Sequence, residues 1–218
     1  MVMNVFLKTF VITLVVFSLG VAAGLWLDIT RSDEADRKLA ETALELTDIL
    51  LLDSLYKTQS NASAFCDAAI KSNMDFNSRI YEEGKNLDRL EAVNKLGPDT
   101  ILKKKRYAML QMQFWLNAVQ IRNKCGANYD TVVYFYNNEE TPDQKADQRV
   151  QSDVLQDLKE KCGGNIMLIP IPLDMNITSV DTVKYQYKIE SAPAVLINEK
   201  TPMHGVQGIK NLENQVNC

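Results

Sequence analysis

The sequence has only one histidine among its 218 residues, four cysteines and no excess of positive charge. A mixed Cys/His zinc site would depend on His204 alone, so the sequence argues against a metal centre and predicts that His204 lies at the surface. The net charge of -4, from 24 basic and 28 acidic residues, argues against binding to nucleic acid. Phosphate-binding loops, catalytic-triad motifs and paired metal-ligand motifs do not occur, so we predict no cofactor.

The composition is that of a globular protein, with 46% hydrophobic and 24% charged residues. It excludes a disordered or collagen-like chain. One or two small domains fit this length.

Only one apolar run is long enough to cross a membrane. Residues 9–27 carry no charge, and as a helix they would span about 28 Å, close to the hydrocarbon core of a bilayer. Val21 and Ala23 allow the alternative of a cleaved signal peptide. Because the run is longer than the usual signal-peptide core, we predict a membrane anchor over residues 1–29.

The charges beside this run leave its orientation ambiguous, because Lys8 precedes it and a mixture of both signs follows it. Asn61 and Asn176 each begin an acceptor sequence for glycosylation, which has meaning only outside the cytosol. We therefore predict a cytoplasmic amino terminus and an extracytoplasmic location for residues 30–218. The predicted partners are the membrane and a protein of unknown identity. Cysteines in such a location can form stable disulfides.

Residues 33–126 have the apolar spacing of amphipathic helices and are predicted to form a helical spacer. One helix covers residues 33–56, a second covers residues 62–96, and a third begins after Gly97-Pro98 and ends near Lys124. The Met and aromatic stripe of the third helix is interpreted as a packing core, with a ligand groove as the alternative. The basic run 103–106 is interpreted as a solvated helix face, with an acidic lipid or partner as the alternative.

Cys66 and Cys125 suit a disulfide across this hairpin. If the second and third helices run antiparallel about Gly97-Pro98, the two cysteines face each other to within about one helical turn. A bridge would clamp the open end of the hairpin. Two free buried thiols are the alternative.

The last ninety residues alternate between apolar runs and helical patterns in the order β-α-β-α-β-β-α. The first strand covers residues 131–136, a helix then ends at Cys162, and the second strand covers residues 165–174. Because a helix connects these two strands, they are expected to be parallel. The remaining segments are a short helix at 179–188, the run SAPAVLIN, a strand MHGVQG and a final helix KNLENQVNC.

This order, together with the residues that follow Tyr185, resembles the thioredoxin family. Residues 185–189 resemble the approach to the cis-proline of the family, Ala192-Pro193 its cis-proline dipeptide, and Asp174 the aspartate that ends its second strand. The resemblance covers residues 128–218 and implies a thioredoxin-like domain. The predicted fold class is therefore α/β, with an N-terminal transmembrane helix, an α-helical hairpin spacer and this C-terminal domain.

The chain departs from the family at the redox motif. The family carries C-x-x-C where the first strand meets the first helix, whereas this chain has Asn-Asn-Glu-Glu-Thr-Pro at positions 137–142. Disulfide exchange needs a thiolate at the helix amino terminus and a second thiol to resolve the mixed disulfide. The domain is accordingly predicted to be redox-inactive, with no catalytic residues.

The resemblance also implies roles for two other features. It places the carboxyl ends of the first and last helices close together, which implies a disulfide between Cys162 and Cys218, with a free terminal thiol as the alternative. Pro193 is the cis-proline candidate. We interpret it as keeping the fold, with the binding of an extended peptide beside it as the alternative.

These observations predict a membrane-anchored, extracytoplasmic, non-enzymatic module that binds protein or supports an envelope assembly. The alternative is an envelope thiol-disulfide oxidoreductase that uses a non-standard cysteine, for which Cys66 or Cys218 would have to be free and activated.

Overall fold

The computed structural model describes residues 5–58, 62–93 and 98–218. A 3₁₀ turn at Gly163–Asn165 connects the fourth helix to the second strand. The elements in chain order are α1 (Val5–Thr58), α2 (Ala62–Val93), α3 (Pro98–Cys125), β1 (Asp130–Tyr136), α4 (Pro142–Cys162), β2 (Ile166–Pro172), α5 (Thr178–Gln186), β3 (Ala194–Ile197), β4 (Met203–His204) and α6 (Ile209–Glu213).

Helix α1 joins the predicted anchor to the first spacer helix without a break. Its segment Phe6–Leu27 is long and apolar enough to cross a membrane, a property that signal sequences share. Residues 30–32 belong to neither the predicted anchor nor the predicted spacer, and they contain neither proline nor glycine, so nothing in them stops a helix. The apolar segment and the first spacer helix therefore form one continuous helix.

The sheet has four strands in the order β2-β1-β3-β4. Strands β1 and β2 are parallel, with Asp130 beside Ile166 and Tyr136 beside Pro172. Strand β3 runs antiparallel to β1, and β4 antiparallel to β3. The mixed α/β class and the order of elements after residue 128 are as predicted, and both strands of the βαβ unit point the same way.

The outer edge of β2 is blocked against further strand pairing. Pro170 and Pro172 have no N–H to offer, and prolines at alternate positions are tolerated only on an edge strand. The carbonyl of Ile166 accepts from Asn77 Nδ2 at 3.4 Å and from Lys159 Nζ at 2.7 Å. Burial lowers the pKa of Lys159 to about 8. Asn77 of α2 and Lys159 of α4 therefore occupy the carbonyl at the start of this edge.

The two faces of the sheet carry different helices. On one face, α4 and α6 pack on Val132 and Val195 through Leu155 and Leu212. On the other face, buried residues of α1, α2, α3 and α5 form one hydrophobic cluster with β1, β2 and β3. The predicted boundary at residue 127 thus lies between two segments that share a continuous core.

Helix α3 is the centre of this shared core. Met112 and Trp115 are buried, as the packing interpretation of the stripe predicts. The ring of Trp115 meets the ring of Phe135 edge to face, with centroids 6.3 Å apart, and Phe114 lies 5.2 Å from Phe76. Aromatic contacts therefore connect α2 to α3, and α3 to the sheet.

The interpretation of residues 103–106 as a solvated face is wrong for two of the four. Lys103 and Lys104 are buried, because their positions on α3 face α1 and the turn after β1. Lys103 Nζ lies 3.3 Å from Asp36 Oδ2, and Lys104 Nζ donates to Asn138 Oδ1. Only Arg106 is exposed.

The final helix is shorter than predicted, because α6 ends at Glu213. The residues after it turn back toward β1, where Asn217 donates to Asp130 through its backbone N at 2.6 Å and its Nδ2 at 3.1 Å. A helix continued to Cys218 could not make these contacts.

Both predicted cysteine pairs lie at disulfide-bonding distance. The Cα atoms of Cys66 and Cys125 are 5.3 Å apart, and those of Cys162 and Cys218 are 4.6 Å apart. All four cysteines of the sequence are thereby paired. One pair closes the α2–α3 hairpin, and the other connects the end of α4 to the carboxyl terminus.

Candidate functional site

The candidate site is the edge of the sheet at which β1 and β2 end. Because the two strands are parallel, their carboxyl ends meet at this edge, which also receives the start of β3. We call it the turn edge and define it by the turn 137–141, Asp174 and the dipeptide Ala192-Pro193. When the β1–β3 register is continued by one residue, Pro193 lies opposite Tyr136.

Asp174 holds the turn by its backbone. Its Oδ1 accepts from the N–H of Asn138 at 2.8 Å, and its Oδ2 accepts from the N–H of Glu139 at 2.7 Å. A carboxylate that accepts two backbone N–H groups forms charge-assisted hydrogen bonds, which are stronger than neutral ones. The turn is therefore fixed to the end of β2.

Gln148 and a capping box hold the rest of the turn. Gln148 Oε1 accepts from the N–H of Asn137 at 2.6 Å, while its Nε2 donates to the Asn137 carbonyl at 3.1 Å. Thr141 caps α4 by accepting from the N–H of Gln144, whose side chain accepts from the N–H of Thr141 at 3.1 Å. Four backbone N–H groups of the turn thus already have side-chain acceptors.

The charges at the turn are those that stabilise the amino-terminal end of a helix. Glu139, Glu140 and Asp143 are exposed at the amino end of α4, where the helix dipole favours negative charge. The hydroxyl of Tyr134 donates to the Gln148 carbonyl at 3.0 Å. Burial, and secondarily the charge of Glu140, raises the pKa of Tyr134, so this phenol stays neutral. The turn contains no thiol.

Pro193 lies buried at the start of β3. The Ala192–Pro193 peptide bond is cis, and the carbonyl of Pro193 accepts from the N–H of Gly205 at 2.8 Å. This bond connects the proline to the end of β4. Ser191, next to the dipeptide, is exposed, so the chain before the proline borders solvent.

The cysteine pairs lie far from the turn edge. Cys162 ends α4, twenty residues after Pro142, so about 30 Å of helix separates it from the turn. Cys125 ends α3, twenty-one residues after Lys104, which contacts the turn. The structure therefore does not bring either pair to the turn edge.

Other predicted residues fall outside this site. Asn176 is exposed in the loop between β2 and α5, where a glycan could be attached, whereas Asn61 lies outside the described residues. His204 is exposed on the edge strand β4, as expected. Within residues 5–58, 62–93 and 98–218, no three His, Cys, Asp or Glu side chains could jointly hold a metal ion.

A second polar cluster, at the opposite end of β1, was not predicted from the sequence. The guanidinium of Arg122 pairs with Glu199 and donates to Thr131 Oγ1 at 3.0 Å and to Asn198 Oδ1. Glu199 Oε1 also accepts from Trp115 Nε1 at 2.6 Å and from Thr131 Oγ1 at 2.7 Å. We call these residues the Arg122 cluster.

The Arg122 cluster fixes an uncommon turn. Asn198 and Glu199 have φ values of 51° and 56°, which glutamate rarely adopts. The carbonyl of Thr131 accepts from the N–H of Asn198 at 3.0 Å, and this bond connects the turn to β1. The cluster thus joins α3, β1 and the β3–β4 turn.

Comparison with known proteins gives no family, since no protein-family model matches the chain and no curated protein matches it.

Proposed function

We propose that this chain is a membrane-anchored, extracytoplasmic thioredoxin-like module that binds a protein at its turn edge and carries out no thiol-disulfide exchange. The observation that carries the proposal is the hydrogen bonding of the turn 137–141. The position at which disulfide exchange would need a thiolate is occupied by a turn whose N–H groups Asp174, Gln148 and Gln144 already satisfy.

Several features support a thioredoxin-like fold for residues 128–218. The first and last helices of this segment, α4 and α6, pack on one face of the sheet, as the sequence resemblance implies. The Ala192–Pro193 bond is cis, and Asp174 lies two residues after the end of β2 at Pro172. The sequence resemblance and the observed arrangement thus both support a thioredoxin-like fold for residues 128–218.

Two observations weigh against the alternative of an oxidoreductase. All four cysteines are paired, so none is available as a nucleophile without prior reduction. Each pair also lies at the far end of a long helix that begins at or beside the turn. An exchange reaction would therefore need a site distant from the proline at which the resemblance places peptide binding.

Anchoring and export rest on the single apolar segment of α1 and on the chemistry of the exported part. None of the segment Phe6–Leu27 is buried in the isolated chain, as expected of a helix whose surface is covered by lipid. Two cysteine pairs and an exposed acceptor asparagine at Asn176 suit an oxidising, extracytoplasmic location.

Site-specific photocrosslinking in the native membrane tests binding at the turn edge. A photoreactive amino acid at Ser191, beside the cis dipeptide, is expected to yield one discrete crosslinked protein. The same amino acid at Ser152, an exposed serine on the outer side of α4, is the matched control and is expected to yield none. Identical crosslinking patterns from both positions, or none from Ser191, would contradict the assignment of this edge.

A further inference from the structure

The direction of α3 relative to α1 determines which end of the molecule faces the membrane. Cys66, eight residues after α1 ends at Thr58, is bonded to Cys125 at the end of α3. The carboxyl ends of α1 and α3 are therefore close together. Twenty-two residues separate Asp36 from Thr58, and the same number separates Lys103 from Cys125. Since Lys103 pairs with Asp36, the two helices run side by side in the same direction.

This pairing gives the height of α3 above the membrane. Asp36 lies nine residues after Leu27 in an unbroken helix, so it is about 14 Å beyond the end of the apolar span. Helix α3 begins at Pro98, five residues before Lys103, which places its first turn about 6 Å beyond that end. The headgroup layer of one leaflet is about 5 to 8 Å thick. The amino-terminal end of α3 is therefore at the depth of the lipid headgroups.

Exposed apolar side chains occupy this end of α3. Ile101 is 46% exposed and Leu102 is 51% exposed, although both are large apolar residues. Side chains on a helix lean toward its amino terminus, which in α3 points at the membrane. Both side chains therefore extend from their backbone positions toward the headgroups, which would cover apolar surface that the protein itself leaves open.

The sheet follows the orientation of α3. Lys104 contacts Asn138 of the turn edge, whereas Arg122, eighteen residues further along α3, contacts Thr131 at the start of β1. The eighteen residues of α3 and the seven of β1 span about 27 Å and 23 Å respectively, so the strand runs antiparallel to the helix. The turn edge is consequently the end of the sheet nearest the membrane, and the Arg122 cluster is the end furthest from it.

We infer that Ile101 and Leu102, whose backbone lies about 10 to 12 Å beyond the apolar span, extend their side chains to the outer boundary of the headgroup layer of the membrane that holds α1, so that the turn edge faces the bilayer. This orientation rests on the anchoring part of the proposed function and deepens it. A partner of the turn edge is then a protein that itself lies at the membrane surface.

Lipid-quenching measurements on the full chain in phosphatidylcholine vesicles test this contact. A fluorophore is attached to a single added cysteine, Leu102→Cys or Leu116→Cys, and the vesicles contain phosphatidylcholine with a nitroxide on its headgroup. Leu116 is the matched control, because it is 52% exposed on the same helix and about 21 Å further from the membrane. Quenching is expected to be several-fold stronger at position 102 than at position 116. Ile101→Cys and Met109→Cys, both 46% exposed, form a second pair if the first variant does not fold.

The outcomes separate the contact from the anchor. A third label at Ser18→Cys, inside the apolar span, is measured with a nitroxide placed deep in the acyl chain. Strong quenching at Ser18 combined with equal quenching at positions 102 and 116 would overturn the contact and leave the anchor standing. Absence of quenching at Ser18 would overturn both. Dipolar broadening between nitroxides on two copies at position 102, without lipid quenching, would show that a second copy covers this surface and would also overturn the contact.

Discussion

Replacing Arg122 with methionine is expected to lower the free energy of unfolding by about 3 to 5 kcal/mol, the usual effect of removing one partner of a buried ion pair. The substitution leaves Glu199 mostly buried without its cation, with only 17% of its side chain exposed. It also frees a turn whose two central residues have positive φ. Urea unfolding of the full chain in detergent, followed by circular dichroism, measures the loss.

A matched control for this substitution is Lys161→Met. Lys161 pairs with Glu213 at 2.7 Å, but 59% of its side chain is exposed, so its loss should cost less than about 1 kcal/mol. The double variant Arg122→Met with Glu199→Gln should lose less stability than the two single losses added together, because both act on one network. A loss below about 1 kcal/mol for Arg122→Met would refute the conclusion that the Arg122 cluster stabilises the fold by joining α3, β1 and the β3–β4 turn.

Removing the hairpin disulfide is expected to have an equally large effect. The Cys66→Ala and Cys125→Ala double variant opens a loop with a sequence separation of 59 residues, for which the chain-entropy relation gives a loss of about 4 kcal/mol. That is a large share of the 5 to 15 kcal/mol typical of a native protein. Urea unfolding of the oxidised chain and of the double variant gives the difference.

The second pair provides an internal comparison. Cys162 and Cys218 close a loop of nearly the same length, with a separation of 56 residues, so chain entropy predicts nearly the same loss for their removal. Peptide mapping without reductant should find Cys66 joined to Cys125 and Cys162 joined to Cys218. A peptide that joins Cys66 to Cys162 or Cys218 would contradict the arrangement of the hairpin.

The parts of this structure that sequence predicts well are those that depend on local patterns. Helical spacing about Gly97-Pro98 predicts the pairing of Cys66 with Cys125, because the register of an antiparallel hairpin follows from the turn. Alternating apolar runs and helices predict β1, α4 and β2, although the bounds shift by a residue or two. The pairing of Cys162 with Cys218 required the family resemblance, since nothing local relates these positions.

The contacts that were missed join residues distant in the chain. Lys103 and Lys104 look like solvated residues because a basic run usually is, and their burial depends on Asp36 and Asn138 lying beside them. The Arg122 cluster unites α3, β1 and the β3–β4 turn, which only the tertiary fold brings together. The family resemblance identified Asp174, but its two hydrogen bonds to the turn are visible only in the structure.

A variant that carries a C-x-x-C motif at the turn provides the positive control for the proposal that the chain carries out no disulfide exchange. Helix α4 begins at Pro142 with Thr141 as its cap, so a thiol at position 141 would lie at the helix amino terminus, where its pKa is lowered. The Thr141→Cys and Gln144→Cys double variant therefore places two thiols at C-x-x-C spacing. It is expected to acquire some disulfide reductase turnover.

An insulin reduction assay on the unmodified full chain tests the central claim most directly, since disulfide exchange needs a thiolate that the turn edge does not have. We predict that the unmodified chain matches a blank without protein, while the Thr141→Cys and Gln144→Cys variant exceeds it. Turnover by the unmodified chain that a single cysteine substitution abolishes would contradict the claim and move the active site to that cysteine.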